Sequence, residues 1–167
     1  MARPAVSVTY ATDFQSGTST GAVALAESLL ALNSGLTLVN TATNKPFISG
    51  NPNCAGFFKG GKTMVPDNVR QPPQLPTDFP DEGVILSSGD VSFLPIQNSD
   101  EESEPWNTAG DAQLSNEIKG KTFDACVLQF DFTCNDQSVD CIVGFDYVWG
   151  SDEYTECKSR PSRIAWL

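Results

Sequence analysis

Apolar and polar residues alternate with period two over two stretches in the last third of the chain. From Ala125 to Phe132, Cys126, Leu128, Phe130 and Phe132 share one face, and Val127, Gln129 and Asp131 the other. From Cys141 to Trp149, Cys141, Val143, Phe145, Tyr147 and Trp149 lie on one face, and Ile142, Gly144, Asp146 and Val148 on the opposite one. Alternation of this kind predicts half-buried strands. The Thr133–Asp140 stretch between them is rich in Asn, Asp and Ser, so the pair reads as a hairpin with a polar turn. An acidic tip, Gly150–Tyr154, follows.

A different period appears near the start. Leu25, Leu29 and Leu32 recur at spacings of four and three, with Ala22 and Ala26 beside them. This predicts a helix over about 20–33. Ser19 or Thr20 is placed to cap it, and Gly35 to follow its end in a left-handed conformation. A second, short helix is predicted over about 111–119, with Asp111 as N-cap and Gly120 as the stop. Leu36–Asn40 and Gly83–Ser88 read as short strands, the latter buried. Lys45–Gly61 is punctuated by Gly and Pro, with Phe47-Ile48 and Phe57-Phe58 as apolar anchors. Pro66, Pro72, Pro73, Pro76 and Pro80 mark an extended loop. The predicted fold is mostly β, a sandwich-like domain with these two helices.

A length of 167 residues suits one domain with a substantial core. A net charge of −11 argues against nucleic acid and against anionic membrane surfaces. No apolar run approaches a membrane span, and direct membrane insertion is not expected. The first ten residues carry no apolar secretory core, so an extracellular protein would have lost its targeting segment. Histidine is absent, which removes His-based triads, Cys–His dyads and His-ligated metals. Of the five cysteines, Cys134 and Cys141 flank the polar turn and could close a small loop there; none lies in a C-x-x-C motif. Cys126 and Cys141 also suit small buried apolar positions.

Four chemistries meet the residues with unequal success. Gly56–Thr63 matches the phosphate-loop pattern G-x-x-x-x-G-K-[ST] literally. Its neighbours are wrong: a turn-like stretch precedes it, and Pro66 with the following prolines prevents the helix such a loop needs. Asp111, Asp146, Asp152 and Glu153 are the candidate metal ligands, with Ca²⁺ as the ion that carboxylates and loop carbonyls suit. No two acids stand out as a glycosidase pair, and a cysteine nucleophile lacks an activating base. Trp106, Trp149 and Tyr154 could stack on carbohydrate, though core or rim packing is their commoner use.

Four motifs stand in order along the chain: GVILSSG (83–89), NTAGDAQL (107–114), FDACVLQFDF (123–132) and FDYVWGSDEY (145–154). They resemble the choice-of-anchor L domain, whose pattern runs G-[IV]-[IV]-L-S-[ST]-G, G-D-x-[DQ]-L, D-A-[AC]-V-L-[EQ]-F-D-F and [FY]-x-Y-V-[FW]-G-S-[DE]-E-Y. The resemblance covers residues 18–156, leaving a flexible lead-in at 1–17 and an atypical tail at 157–167. It implies a secreted or cell-surface protein with a β-rich fold, an adhesive or matrix role and no catalytic residues. The expected partner is a surface protein or glycan. A carbohydrate-binding or carbohydrate-processing domain, and a structural fragment without activity of its own, are the alternatives. In the family, G-S-[DE]-E-Y leads into a further apolar strand; here it leads into Cys157–Leu167. The chain is therefore expected to be truncated at its C-terminal end, with Val127–Asp131 and Ile142–Val148 short of neighbours.

Overall fold

The computed structural model describes residues 6–11, 20–30, 34–61, 80–93, 106–138 and 140–148. The fold is β-rich, with two helices. In chain order the elements are β1 (Ser7–Tyr10), α1 (Gly21–Leu29), β2 (Leu36–Leu38), β3 (Phe47–Ser49), β4 (Ala55–Lys59), β5 (Glu82–Leu86), α2 (Ala112–Ile118), β6 (Val127–Gln129) and β7 (Phe132–Cys134). A 3-10 turn, Val91–Phe93, follows β5. The strands form three antiparallel sheets, ordered β1-β4-β5, β2-β7 and β3-β6.

β4 is the centre of the first sheet. Its Gly56 pairs with Tyr10 on one side and Ile85 on the other. Ala55, Gly56 and Phe58 are buried. This strand lies inside the Gly- and Pro-punctuated stretch that reads as turns, and β1 lies inside the expected lead-in. Both owe their order to long-range pairing. β5 occupies the edge of this sheet and is half-buried rather than fully buried, with Leu86 44% exposed. A Lys59–Glu82 ion pair at 3.6 Å bridges β4 and β5, but both side chains are exposed and it adds little.

α1 packs against β5 and β3. Ala22, Leu25 and Ala26 face inward as the apolar stripe predicts. Leu29 stands at the rim instead, and Leu30, which leaves the helix at φ −81° and ψ 11°, takes the buried place. Leu32 lies outside the described residues. Thr20 holds the N-cap position, but its hydroxyl makes no capping bond. The core cluster is Ala11, Leu25, Cys54 and Ala55, with Ile48, Phe57, Val84, Cys126 and Leu128 packed on it. Gly35 adopts φ +75°, the left-handed conformation its position after the helix calls for.

The Ala125–Phe132 run differs from its prediction in both extent and partner. It resolves into β6, paired with β3, and β7, paired with β2. Between the paired positions Leu38↔Phe132 and Phe47↔Gln129, one side advances nine residues and the other three. The surplus forms a turn in which the Asn44 N–H donates to Thr41 Oγ1 at 3.0 Å. Asp131 anchors this excursion: its carbonyl accepts from the Val39 N–H at 2.8 Å and its carboxylate from Asn44 Nδ2 at 2.7 Å. The Val127–Gln129 stretch therefore has a neighbour, β3, which the alternation alone did not reveal.

The expected second strand is absent from Cys141–Val148. Among the described residues this segment joins no ladder, and it leaves Ile142 96%, Phe145 51% and Tyr147 78% exposed. Alternation suits a strand, but a strand exists only where another chain segment supplies its hydrogen bonds. The polar stretch before it turns, but not as a hairpin loop: Thr133 and Cys134 belong to β7, which pairs with β2. Asp136 accepts from the Ser138 N–H at 2.9 Å, and Cys134 is disulfide-bonded to Cys141, Cα to Cα 6.3 Å. Cys141 is thus an exposed cross-link and not a buried apolar residue. The acidic run at 99–105 and the tail at 157–167 lie outside the described residues.

Candidate functional site

The site is built by one clamp and one short helix. Residues 107–110 lie against 122–125. The Asp124 N–H donates to the Thr108 carbonyl at 3.2 Å, and the Ala125 N–H to the Ala109 carbonyl at 3.3 Å. The Asp124 carboxylate accepts from both the Thr108 N–H, at 2.7 Å, and the Thr108 hydroxyl, at 3.0 Å. Asp124 holds φ +51° to do so, a left-handed conformation that Asp tolerates better than most residues.

α2 rises from this clamp. Asp111 caps it, its Oδ1 accepting from the Leu114 N–H at 2.7 Å, as its place before the helix predicts. The helix stops one residue earlier than expected. Lys119, at φ +52°, takes the left-handed position, and the Gly120 N–H returns to the Ser115 carbonyl at 3.1 Å. The Ser115 and Thr122 hydroxyls meet at 2.7 Å, and Thr122 Oγ1 also donates to the Asp111 carbonyl at 3.0 Å, so the chain after the helix returns to its middle and to its N-cap.

Between this unit and the end of β5 runs a groove of about 510 Å³. Leu86, Ser87 and Ser88 form one wall; Asp111, Gln113, Leu114 and Phe123–Val127 supply the rest, together with Thr122. Every described lining residue except Thr122 belongs to one of three motifs quoted above, at 83–89, 107–114 and 123–132. Phe123 stands 66% exposed at the rim. A smaller hollow of about 270 Å³ adjoins it, sharing Asp111, Ala125 and Val127. Apolar side chains beside hydroxyls, carboxylates and an amide equip such a groove to bind a ligand with both an apolar face and hydrogen-bonding groups.

A second polar cluster follows β5 in sequence and centres on Asp90. Asp90 accepts from the Tyr10 hydroxyl at 2.9 Å, Asn53 Nδ2 at 2.9 Å and the Ser92 N–H at 2.8 Å. It therefore joins β1, the turn before β4 and the 3-10 turn. Burial alone would push its carboxyl up. The hydrogen bonds from Ser92, Asn53 and Tyr10 outweigh that and hold its pKa below the ordinary value.

The four candidate metal ligands do not converge among the described residues. Asp111 is committed to the cap of α2, and Asp146 sits exposed in the segment after the disulfide. Asp152 and Glu153 lie outside the described residues. No group of three or more metal-ligating side chains occurs among the described residues. The literal phosphate-loop match also lacks the required backbone: Gly56–Lys59 is strand β4, paired on both sides. Trp106 is half-buried, with its indole nitrogen shielded from solvent, which is packing geometry rather than a stacking platform. Trp149 and Tyr154 lie outside the described residues. Sequence reading missed Phe123 and Asp124 as shapers of the site, and Asp90 as the centre of the second polar cluster. Phe123 and Asp124 sit within a quoted motif, and Asp90 directly follows one.

No helix among the described residues is long and apolar enough to cross a membrane. No curated protein and no solved structure matches the chain. The family model described as the choice-of-anchor L domain matches residues 15–165, running past Glu156, where the motif resemblance ends. Matched over nearly its whole length, and with three of its four motifs meeting in one groove, the chain belongs to the choice-of-anchor L domain family.

Proposed function

We propose that this chain is a non-catalytic extracellular or cell-surface module with an adhesive or matrix role, and that it engages a surface partner through the groove between β5 and α2. The family match supports the module class and its location. The observation that carries the choice of surface is the convergence there of residues from motifs at 83–89, 107–114 and 123–132. The 83–89 motif is remote from the other two in the chain, and a shared surface or a shared packing need would bring it to them.

Two partner chemistries fit the lining. A protein segment would lay apolar side chains on Phe123 and Leu86 and pair its polar groups with Asp111, Gln113 and Ser88. A glycan would place a sugar face on Phe123 and its hydroxyls on the same polar groups. Calcium is the ion the acidic residues suit; it would stabilise the module rather than react.

Binding to a glycan array and to immobilised matrix proteins separates the two, with Phe123→Ser as the control. The expected result is retention on one of the two surfaces, reduced about tenfold or more by the substitution, as loss of an aromatic anchor entails. Equal retention of both forms would remove the groove from the reading. A rise in melting temperature at millimolar Ca²⁺ supports the ion, and an unchanged melt removes it.

A further inference from the structure

Cys54 and Cys126 carry free thiols, and both belong to the core. Two separate features of the chain bring them together. The β3–β6 register sets Ser49 opposite Val127, so the next position sets Gly50 opposite Cys126. A turn closed by the Cys54 N–H on the Asn51 carbonyl at 2.9 Å then folds Cys54 back onto the same place.

The contacts are direct. The Cys126 thiol donates to the Cys54 carbonyl oxygen at 3.1 Å. Burial first, and then the neighbouring Cys54 side chain, push the Cys126 thiol above its ordinary range. A Cβ at Gly50 would lie 3.2 Å from Cys54 Sγ and 3.3 Å from the Cys126 Cα. Gly50 holds φ +122°, so glycine here meets both a backbone need and the close approach of the two cysteines.

We propose that Cys54 and Cys126 form a second disulfide, cross-linking the start of β4 to the start of β6. The Cys134–Cys141 bond already places the chain in an oxidising setting. The oxidant required is a small-molecule disulfide such as oxidised glutathione. One cysteine thiolate attacks it, releasing one thiol equivalent and leaving a mixed disulfide. The second cysteine then displaces the remaining thiol. Two protein thiols are oxidised, one oxidant disulfide is reduced to two thiols, and the two protons pass to those thiols. Partial burial of Cys126 disfavours its thiolate. The bond ties the buried turn before β4 to the half-buried residue before β6. It joins residues 72 apart in sequence, a loop long enough for a large stabilising effect.

The test is disulfide mapping of the full chain refolded in a glutathione redox buffer. The protein is denatured without reduction, alkylated, digested and analysed by mass spectrometry. The expected result is a cross-linked peptide pair holding Cys54 and Cys126, with neither alkylated. A Cys134→Ser, Cys141→Ser double variant should still give that pair. Dithiothreitol should then lower the melting temperature of this variant by about 10 °C. Alkylation of both Cys54 and Cys126 in the refolded, soluble protein, or pairing of either with Cys157, would overturn the proposal. The mapping is independent of whether the groove binds any partner.

Discussion

Two apolar regions of the chain meet different fates. Around β4, apolar residues from β1, β5 and α1 close over Leu25, Cys54 and Ala55, which are 0–2% exposed. In Cys141–Val148 the alternation is stronger, yet Ile142 is 96% exposed and no ladder forms. Pattern is therefore not what separates them. β4 is flanked by two strands whose backbone groups pair with its own. Cys141–Val148 is tied by a disulfide at its start and has no described strand beside it. Hydrophobic alternation states which face a strand would bury; hydrogen-bonding partners decide whether the strand exists.

That contrast is open to direct attack. The largest effect is expected for Leu25→Ala, which empties a fully buried position in the central cluster. Its cost should be about 2–5 kcal/mol in urea unfolding. A loss below about 0.5 kcal/mol would show that the cluster is not the stabilising core. Asp111→Ala should cost about 1 kcal/mol by removing the cap of α2, while Asp111→Asn should keep most of it, since Asn caps as well. The two variants together separate the cap from any role of its charge.

Acid should act on the Asp90 junction. Its folded pKa lies below 3.8, so its contribution is present above that value and is lost as pH falls through the folded one. Unfolding measured from pH 7 down to 2 should show this loss. Asp90→Asn should lower stability at neutral pH and flatten the acid slope, and an unchanged slope would exclude Asp90 as a source. The smallest effect belongs to the other region: Ile142→Ser should change stability by no more than about 0.5 kcal/mol. The same substitution should reduce binding of a hydrophobic dye. A cost of about 2 kcal/mol or more would mean that Cys141–Val148 packs on something after all.

What could be read locally was read well. α2 carries its own start signal in Asp111, whose carboxylate reaches three residues ahead and needs nothing from the rest of the molecule. α1 is legible from Ala22, Leu25 and Ala26, although its last turn shifts burial from Leu29 to Leu30. β3 and β4 were hidden because glycines and prolines around them look like turn punctuation, and here those residues close the turns between real strands. The groove was half legible: its motifs were visible in order, but not that three of them meet. Asp90 was invisible because its partners, Tyr10 and Asn53, lie 80 and 37 residues away.

By itself the sequence determined the β-rich class, the two helices, the acidic surface without histidine, and the family. Each rests on composition, short-range periodicity or an ordered set of motifs, all of which are local. Tertiary structure alone decided which strands exist and what they pair with. It placed β6 and β7 against β3 and β2 instead of against Cys141–Val148, set Cys54 beside Cys126, and drew residues 83–89, 107–114 and 123–132 into one groove. The physical reason is that a strand's hydrogen bonds lie between segments. Its stability therefore depends on which remote segment reaches it, and periodicity within one stretch does not contain that information.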